Sequence, residues 1–169
     1  MAGQRGKTRK PSFSDREVPV AAHQAETRDW SEIKHFSPRD FTCTCTGFCD
    51  HPAAISLDLA KKLDLIRERL GRHITILSGT RCTRHNRRIG GTLNSPHVPK
   101  NGISHAADVH CPDSSFRFAF ILAASSLFKR IGIGKDFIHV DDDPELPPDV
   151  MWTYGPDRSS ANAISLSNT

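Results

Sequence analysis

An α+β fold is predicted by three features of this sequence. Two segments carry apolar residues at helical spacing, Leu59, Leu63, Ile66, Leu70 and then Phe116, Phe120, Ala123, Leu127. Several short runs read as strands. The two kinds of element do not alternate regularly, so a doubly wound parallel sheet is not expected. At 169 residues the chain holds one ordinary domain and lacks the residues for a second core. No internal repeat is evident.

The elements follow in order. Residues 1–30 are polar, with Pro11 and Pro19 and no sustained period, and read as a flexible or partner-docking arm. The folded part, 31–155, is introduced by Trp30 and Phe36. Residues 41–51 hold Cys43, Cys45, Cys49 and His51 and read as a compact loop. Ser56 caps the first helix and Gly71 stops it. Residues 74–77 alternate as a strand. Residues 83–89 form a short helix ended by Gly90 and Gly91. Residues 94–104 are a long polar loop with Pro96, Pro99 and Gly102. Residues 106–110 fit a strand. Residues 112–115 open the second helix, and Lys129 and Arg130 suit its C-terminal end. Strands are expected at 131–133, 137–140 and 151–154, the last after a break at Pro144, Pro147 and Pro148. Residues 156–169 read as a loose tail.

Charge and composition exclude some functions. The net charge of +4 equals the contribution of Arg5, Lys7, Arg9 and Lys10, so the body is balanced. It offers no broad cationic face for nucleic acid. No apolar run approaches the ~18–20 residues that span a bilayer, so membrane insertion is not expected. The first residues lack the apolar centre of a signal peptide. Five cysteines, an odd number, argue against a disulfide framework and leave reduced thiols or a bound metal.

Chemistry is suggested by His97, His105 and His139 in the company of Asp108, Asp136 and Asp141. Imidazole and carboxylate together suit a divalent ion of the zinc class. A stronger pointer is an ordered series of motifs: Ser78-Gly-Thr-Arg81, Asn86, Gly90-Gly91, Asn94-Ser95-Pro-His97, Ala106-Ala-Asp108 and Phe137-Ile-His139-Val-Asp141. The series, over about residues 35–154, resembles the M15 peptidases, a family of D-alanyl-D-alanine carboxypeptidases that includes phage endolysins cutting L-Ala–D-Glu bonds. The resemblance implies a Hedgehog/DD-peptidase-like fold, with a small mainly antiparallel sheet and helices packed on one side. It implies Zn2+ held by His97, Asp108 and His139, with Asp136 as general base. It further implies Arg81 as a catalytic and substrate-binding residue and Ser95 as a residue fixing the first ligand or a substrate group.

Some positions keep two readings. Ten residues separate His97 from Asp108, longer than the family's usual gap, and His105 is the rival ligand. In a strand, however, His105 and Asp108 point to opposite faces. Asp141 shares a face with His139 and is an alternative base or a partner orienting that histidine. Cys43, Cys45, Cys49 and His51, with or without Cys82, are either packing thiols or a structural metal knot. Gly90-Gly91 reads as a turn and not as a phosphate loop. Arg84, His85, Arg87 and Arg88 read as a solvated face or a contact for an anionic polymer. Trp152 and Tyr154 read as core or rim aromatics, with substrate stacking as the other reading.

The resemblance implies hydrolysis of peptidoglycan stem peptides by the protein, after release to the bacterial cell wall or as a component of a phage particle. In the latter case the N-terminal arm docks a virion partner. The competing class is a zinc-containing binding or structural module without catalysis.

Overall fold

The computed structural model describes residues 29–45, 49, 55–155 and 161–162. Residues 1–28 of the expected arm and most of the expected tail lie outside these residues, while Trp30 packs against the core. A 3-10 turn, Pro38–Phe41, precedes α1 (Leu57–Leu70), β1 (Ile76–Ser78), α2 (Thr83–Arg88), β2 (Ala106–His110), α3 (Ser114–Ala124), β3 (Arg130–Ile133), β4 (Phe137–Asp141), β5 (Val150–Tyr154) and the stub β6 (Ala161–Asn162). The architecture is α+β.

Helix boundaries follow local chemistry. Ser56 Oγ accepts from Leu59 N–H at 3.3 Å, and Gly71 ends α1 with φ 59°, a left-handed conformation that glycine adopts without strain. Asp113 caps α3 by accepting from Phe116 N–H at 2.6 Å. Leu59, Leu63 and Ile66 of α1 and Phe116, Phe120 and Ala124 of α3 are buried in one cluster. Asp64, on the same helix, is buried because its carboxylate accepts from the backbone N–H groups of Lys34 and His35 at 3.1 and 2.8 Å. It ties the entry segment to α1.

The sheet runs β1-β2-β4-β3-β5-β6. All its neighbours pair antiparallel except β3 with β5, which are parallel, so the sheet is mixed. Ala107, Val109, Ile131, Ile138 and Val140 turn to the helical core. Side chains alternate across a strand, so Asp108, His139 and Asp141 project from the opposite face. One face of the sheet thus makes the core and the other carries polar groups.

Several expectations shift in detail. β1 begins at Ile76, later than expected, although Thr75 O still accepts from His110 N–H of β2 at 2.9 Å, and its pairing is irregular between Ile76 and Ser78. Arg130 belongs to β3, opposite Asp141, rather than to the end of α3. Ala161 and Asn162 pair with Tyr154 and Thr153, so that part of the expected loose tail is a strand. The long polar loop contains a tight turn: Lys100 and Ile103 exchange backbone hydrogen bonds at 2.8 and 3.0 Å around Asn101 (φ 50°) and Gly102 (φ 81°). Lys100 Nζ then pins the turn to Asp143 at 2.7 Å.

Gly132 faces His139 across the β3–β4 ladder, and Trp152 lies across β5 from it. A Cβ there would sit 2.7 Å from the rings of Trp152 and Tyr154. Gly132→Ala is therefore expected to cost about 1–3 kcal/mol, the usual range for overpacking. Urea unfolding of the two proteins measures this; equal stability would mean that the rings do not rest on this glycine.

Candidate metal centre

β2 and β4 set the centre. Their register places Asp108 directly opposite His139. His97 arrives from the loop before β2. Its backbone carbonyl accepts from Arg81 N–H at 2.8 Å, and its N–H meets Ser95 Oγ at 3.4 Å. Three ligand atoms converge. His97 Nε2 is 3.1 Å from His139 Nδ1 and 3.3 Å from Asp108 Oδ1, and His139 Nδ1 is 2.9 Å from Asp108 Oδ1. A tetrahedral ion with bonds of about 2.0 Å has donor–donor edges of about 3.3 Å. The donor set and its spacing fit zinc.

The outer atoms of the ligands are also held. His97 Nδ1 donates to the Gly79 carbonyl at 2.6 Å, which leaves the Nε2 lone pair facing inward. His139 Nε2 donates to Asp141 Oδ2 at 2.9 Å. Asp141 is fully buried and receives Arg130 Nε at 2.9 Å. The guanidinium of Arg130 also lies 5.4 Å from the ring centre of Trp152. Arg81 reaches the second oxygen of Asp108 and donates from Nε to Ser78 Oγ at 2.7 Å. Each ligand thus has a partner fixing its orientation.

Electrostatics follow from this geometry. Burial pushes Asp108 upward, but the imidazoles of His97 and His139 outweigh it and hold the carboxyl well below its usual range. Burial pushes His97 below its usual value, reinforced by Arg81 and outweighing the pull of Asp108. Burial would also lower His139, but its hydrogen bonds to Asp108 and Asp141 raise it above the usual value. Both nitrogens of His139 face carboxylate oxygens, and a neutral ring carries only one proton. A second cation, proton or metal, is needed at Nδ1.

The structure thus brings together His97, Asp108, His139 and Arg81. It puts His105 elsewhere: Nδ1 is 3.2 Å from Asp142 Oδ1, on the other side of the strand. Ser95 is buried beneath the His97 loop. Asp136 is exposed at the tip of the β3–β4 hairpin, where its carbonyl accepts from Cys111 N–H at 2.8 Å. It lies three residues along the strand from His139, about 10 Å of backbone. Trp152 and Tyr154 border His139, with ring centres 5.4 and 6.4 Å from it. Asn86 is buried, donates to Thr92 O at 2.8 Å and closes the Gly90-Gly91 turn, as the turn reading requires. A groove of about 410 Å³ runs beside β1 from His73 to Ser78 and is not lined by the three candidate ligands. Arg130 was missed as a site residue; its signal is a basic residue in register with Asp141, visible only once the strands are paired.

Two predictions arise here. Asp141→Asn removes the charge behind His139 and should weaken zinc binding about 10–100-fold, measured by competition with a chromophoric chelator. Unchanged affinity would show that Asp141 does not orient the ligand. The raised pKa of His139 means that metal competes with a proton, so zinc affinity should fall as pH drops through the region where His139 takes up that proton. Calorimetry in buffers of different ionisation enthalpy should register proton release on zinc uptake; no release would contradict a protonated His139 in the metal-free chain.

No curated protein matches the chain. A family model described as Peptidase M15 matches residues 34–141, a span that includes the three candidate ligands, Arg81 and Asp136. The chain belongs to the peptidase M15 family, which implies a metallopeptidase.

Proposed function

We propose that this protein is a zinc peptidase that hydrolyses peptidoglycan stem peptides, as a D-Ala carboxypeptidase or an L-Ala–D-Glu endopeptidase. The observation that carries the reading is the convergence of His97 Nε2, Asp108 Oδ1 and His139 Nδ1 at catalytic-zinc spacing on the sheet face opposite the core. Three protein ligands leave a fourth position for water or substrate. When bound, the ion supplies a water acidified toward neutral pH and a Lewis acid for the scissile carbonyl.

The chain's own groups supply the rest. Asp136 lies in the bend before β4, where the alternation that sets residues three apart on opposite faces no longer holds, and it takes the proton of the attacking water and returns it to the leaving amine. Asp141 is committed to His139 and Arg130, which favours Asp136 for that role. Arg81 spends donors on Asp108 and Ser78 and keeps others of its five N–H groups for a substrate carboxylate or carbonyl oxygen. Either proposed peptide presents a carboxylate: the C-terminus of a D-Ala peptide, or the side group of D-Glu. Ser95 acts through the His97 loop it supports. Trp152 and Tyr154 make a partly exposed apolar wall beside His139. Action at the cell wall, and any docking of residues 1–30 to a larger particle, belong to the same proposal.

The test is incubation of the zinc-loaded chain with purified peptidoglycan and with synthetic stem peptides, the products identified by mass spectrometry. Release of D-Ala marks a carboxypeptidase, and a new D-Glu amino terminus marks an endopeptidase. Asp136→Asn should keep its zinc and lose about 10²–10⁴-fold in kcat. A wild-type protein that binds zinc and cleaves none of these peptides would favour the binding-module reading. Full activity in Asp136→Asn would remove Asp136 as the base.

A further inference from the structure

We propose that Cys43, Cys45, Cys49 and Cys82 hold a second, structural zinc ion through four thiolates. One sulfur from each lies within 4.8 Å of the other three. Cys45 Sγ and Cys82 Sγ are 3.8 Å apart. A tetrahedron of Zn–S bonds of about 2.3 Å has edges of about 3.8 Å. A disulfide would draw two sulfurs to about 2.05 Å, and none joins any of the five cysteines. Thiols that serve only as packing are usually fully buried, whereas Cys43, Cys45 and Cys49 are half-buried.

Backbone N–H groups point at two of the sulfurs. Cys82 N–H meets Cys43 Sγ at 3.4 Å, and His85 N–H meets Cys82 Sγ at 3.3 Å. Such N–H groups stabilise negative sulfur and fix its direction. Arg84, His85 and Arg88 line the small cleft beside Cys45 and Cys82. A zinc ion with four thiolates carries a net charge of −2, which the guanidinium groups of Arg84 and Arg88 offset. The basic cluster of α2 thereby gains a role beyond that of a solvated face. His51 lies outside the described residues, and Cys82 completes the set without it.

The ion would join two pieces of chain that are distant in sequence. Cys43 and Cys45 follow Phe41, whose carbonyl accepts from Thr80 N–H at 2.9 Å. Cys82 follows Arg81 directly. Between them, the Gly79 carbonyl holds His97. The second zinc would therefore brace the segment that supports the first centre without touching its ligands. This inference does not depend on the hydrolytic reading.

The experiment is elemental analysis of the full chain, made with zinc supplied and without a metal-binding tag, together with titration of native thiols. The expected result is two zinc ions per chain in the wild type, one in Cys45→Ser and one in His139→Ala, with only Cys111 free to react slowly. Cobalt loaded into His139→Ala should give the intense near-ultraviolet charge-transfer absorption of thiolate ligation. That spectrum decides the matter if Cys45→Ser fails to fold. One zinc in the wild type with four further reactive thiols, a disulfide among the four, or a cobalt spectrum without thiolate bands would each overturn the proposal.

Discussion

The constraint on which the rest of the structure depends is the meeting of three acceptor atoms. His97 Nε2, His139 Nδ1 and Asp108 Oδ1 are buried within 3.3 Å of one another. Acceptors brought together out of water repel, and burying them costs several kcal/mol unless a cation lies between them. The fold holds them there regardless. The β2–β4 register aligns Asp108 with His139, the Gly79 carbonyl orients His97, and the Asp141–Arg130 pair orients His139. Such an arrangement is stable only as a site for a positive charge, and a divalent ion satisfies all three atoms at once.

The division of the sheet makes this possible. Ala107, Val109, Ile138 and Val140 bury against α1 and α3, and their burial fixes the register. A slip of one residue would drive Asp108 and His139 into the apolar core. The hydrophobic face thus enforces the geometry of the polar one. Three consecutive aspartates then hold three different sets of partners. Asp141 holds His139 and Arg130, Asp142 holds His105 and Lys62, and Asp143 holds Lys100. The stretch after β4 fastens the His97 loop and the start of β2 to the same sheet edge.

Much of this was legible in the sequence. The apolar periods of α1 and α3, with Ser56 and Gly71 as punctuation, gave the helices to within a few residues. His97 is implied by the motif series, with strand parity setting His105 apart from Asp108; in the structure His105 Nδ1 lies 3.2 Å from Asp142 Oδ1. The loop before β2 was harder. Asn101-Gly102 is a hairpin signal, but it lies among prolines and polar residues without flanking apolar alternation. Arg130 was misread because its position after α3 suits a helix end; only the pairing with β4 shows its partner. Cys82 lies 33 residues beyond Cys49, and no local spacing links them. Their meeting depends on how the segment after β1 packs on Phe41. Long-range juxtapositions of this kind are set by tertiary packing, which motif spacing does not encode.

The central claim is that His97, Asp108 and His139 enclose one metal ion. Anomalous diffraction from crystals of the zinc-loaded chain, recorded on both sides of the zinc absorption edge, tests it most directly. The account predicts a peak within bonding distance of His97 Nε2, Asp108 Oδ1 and His139 Nδ1, with one position left for a non-protein ligand. Density free of any such peak at that point, or a peak bound by His105 in place of His97, would contradict it.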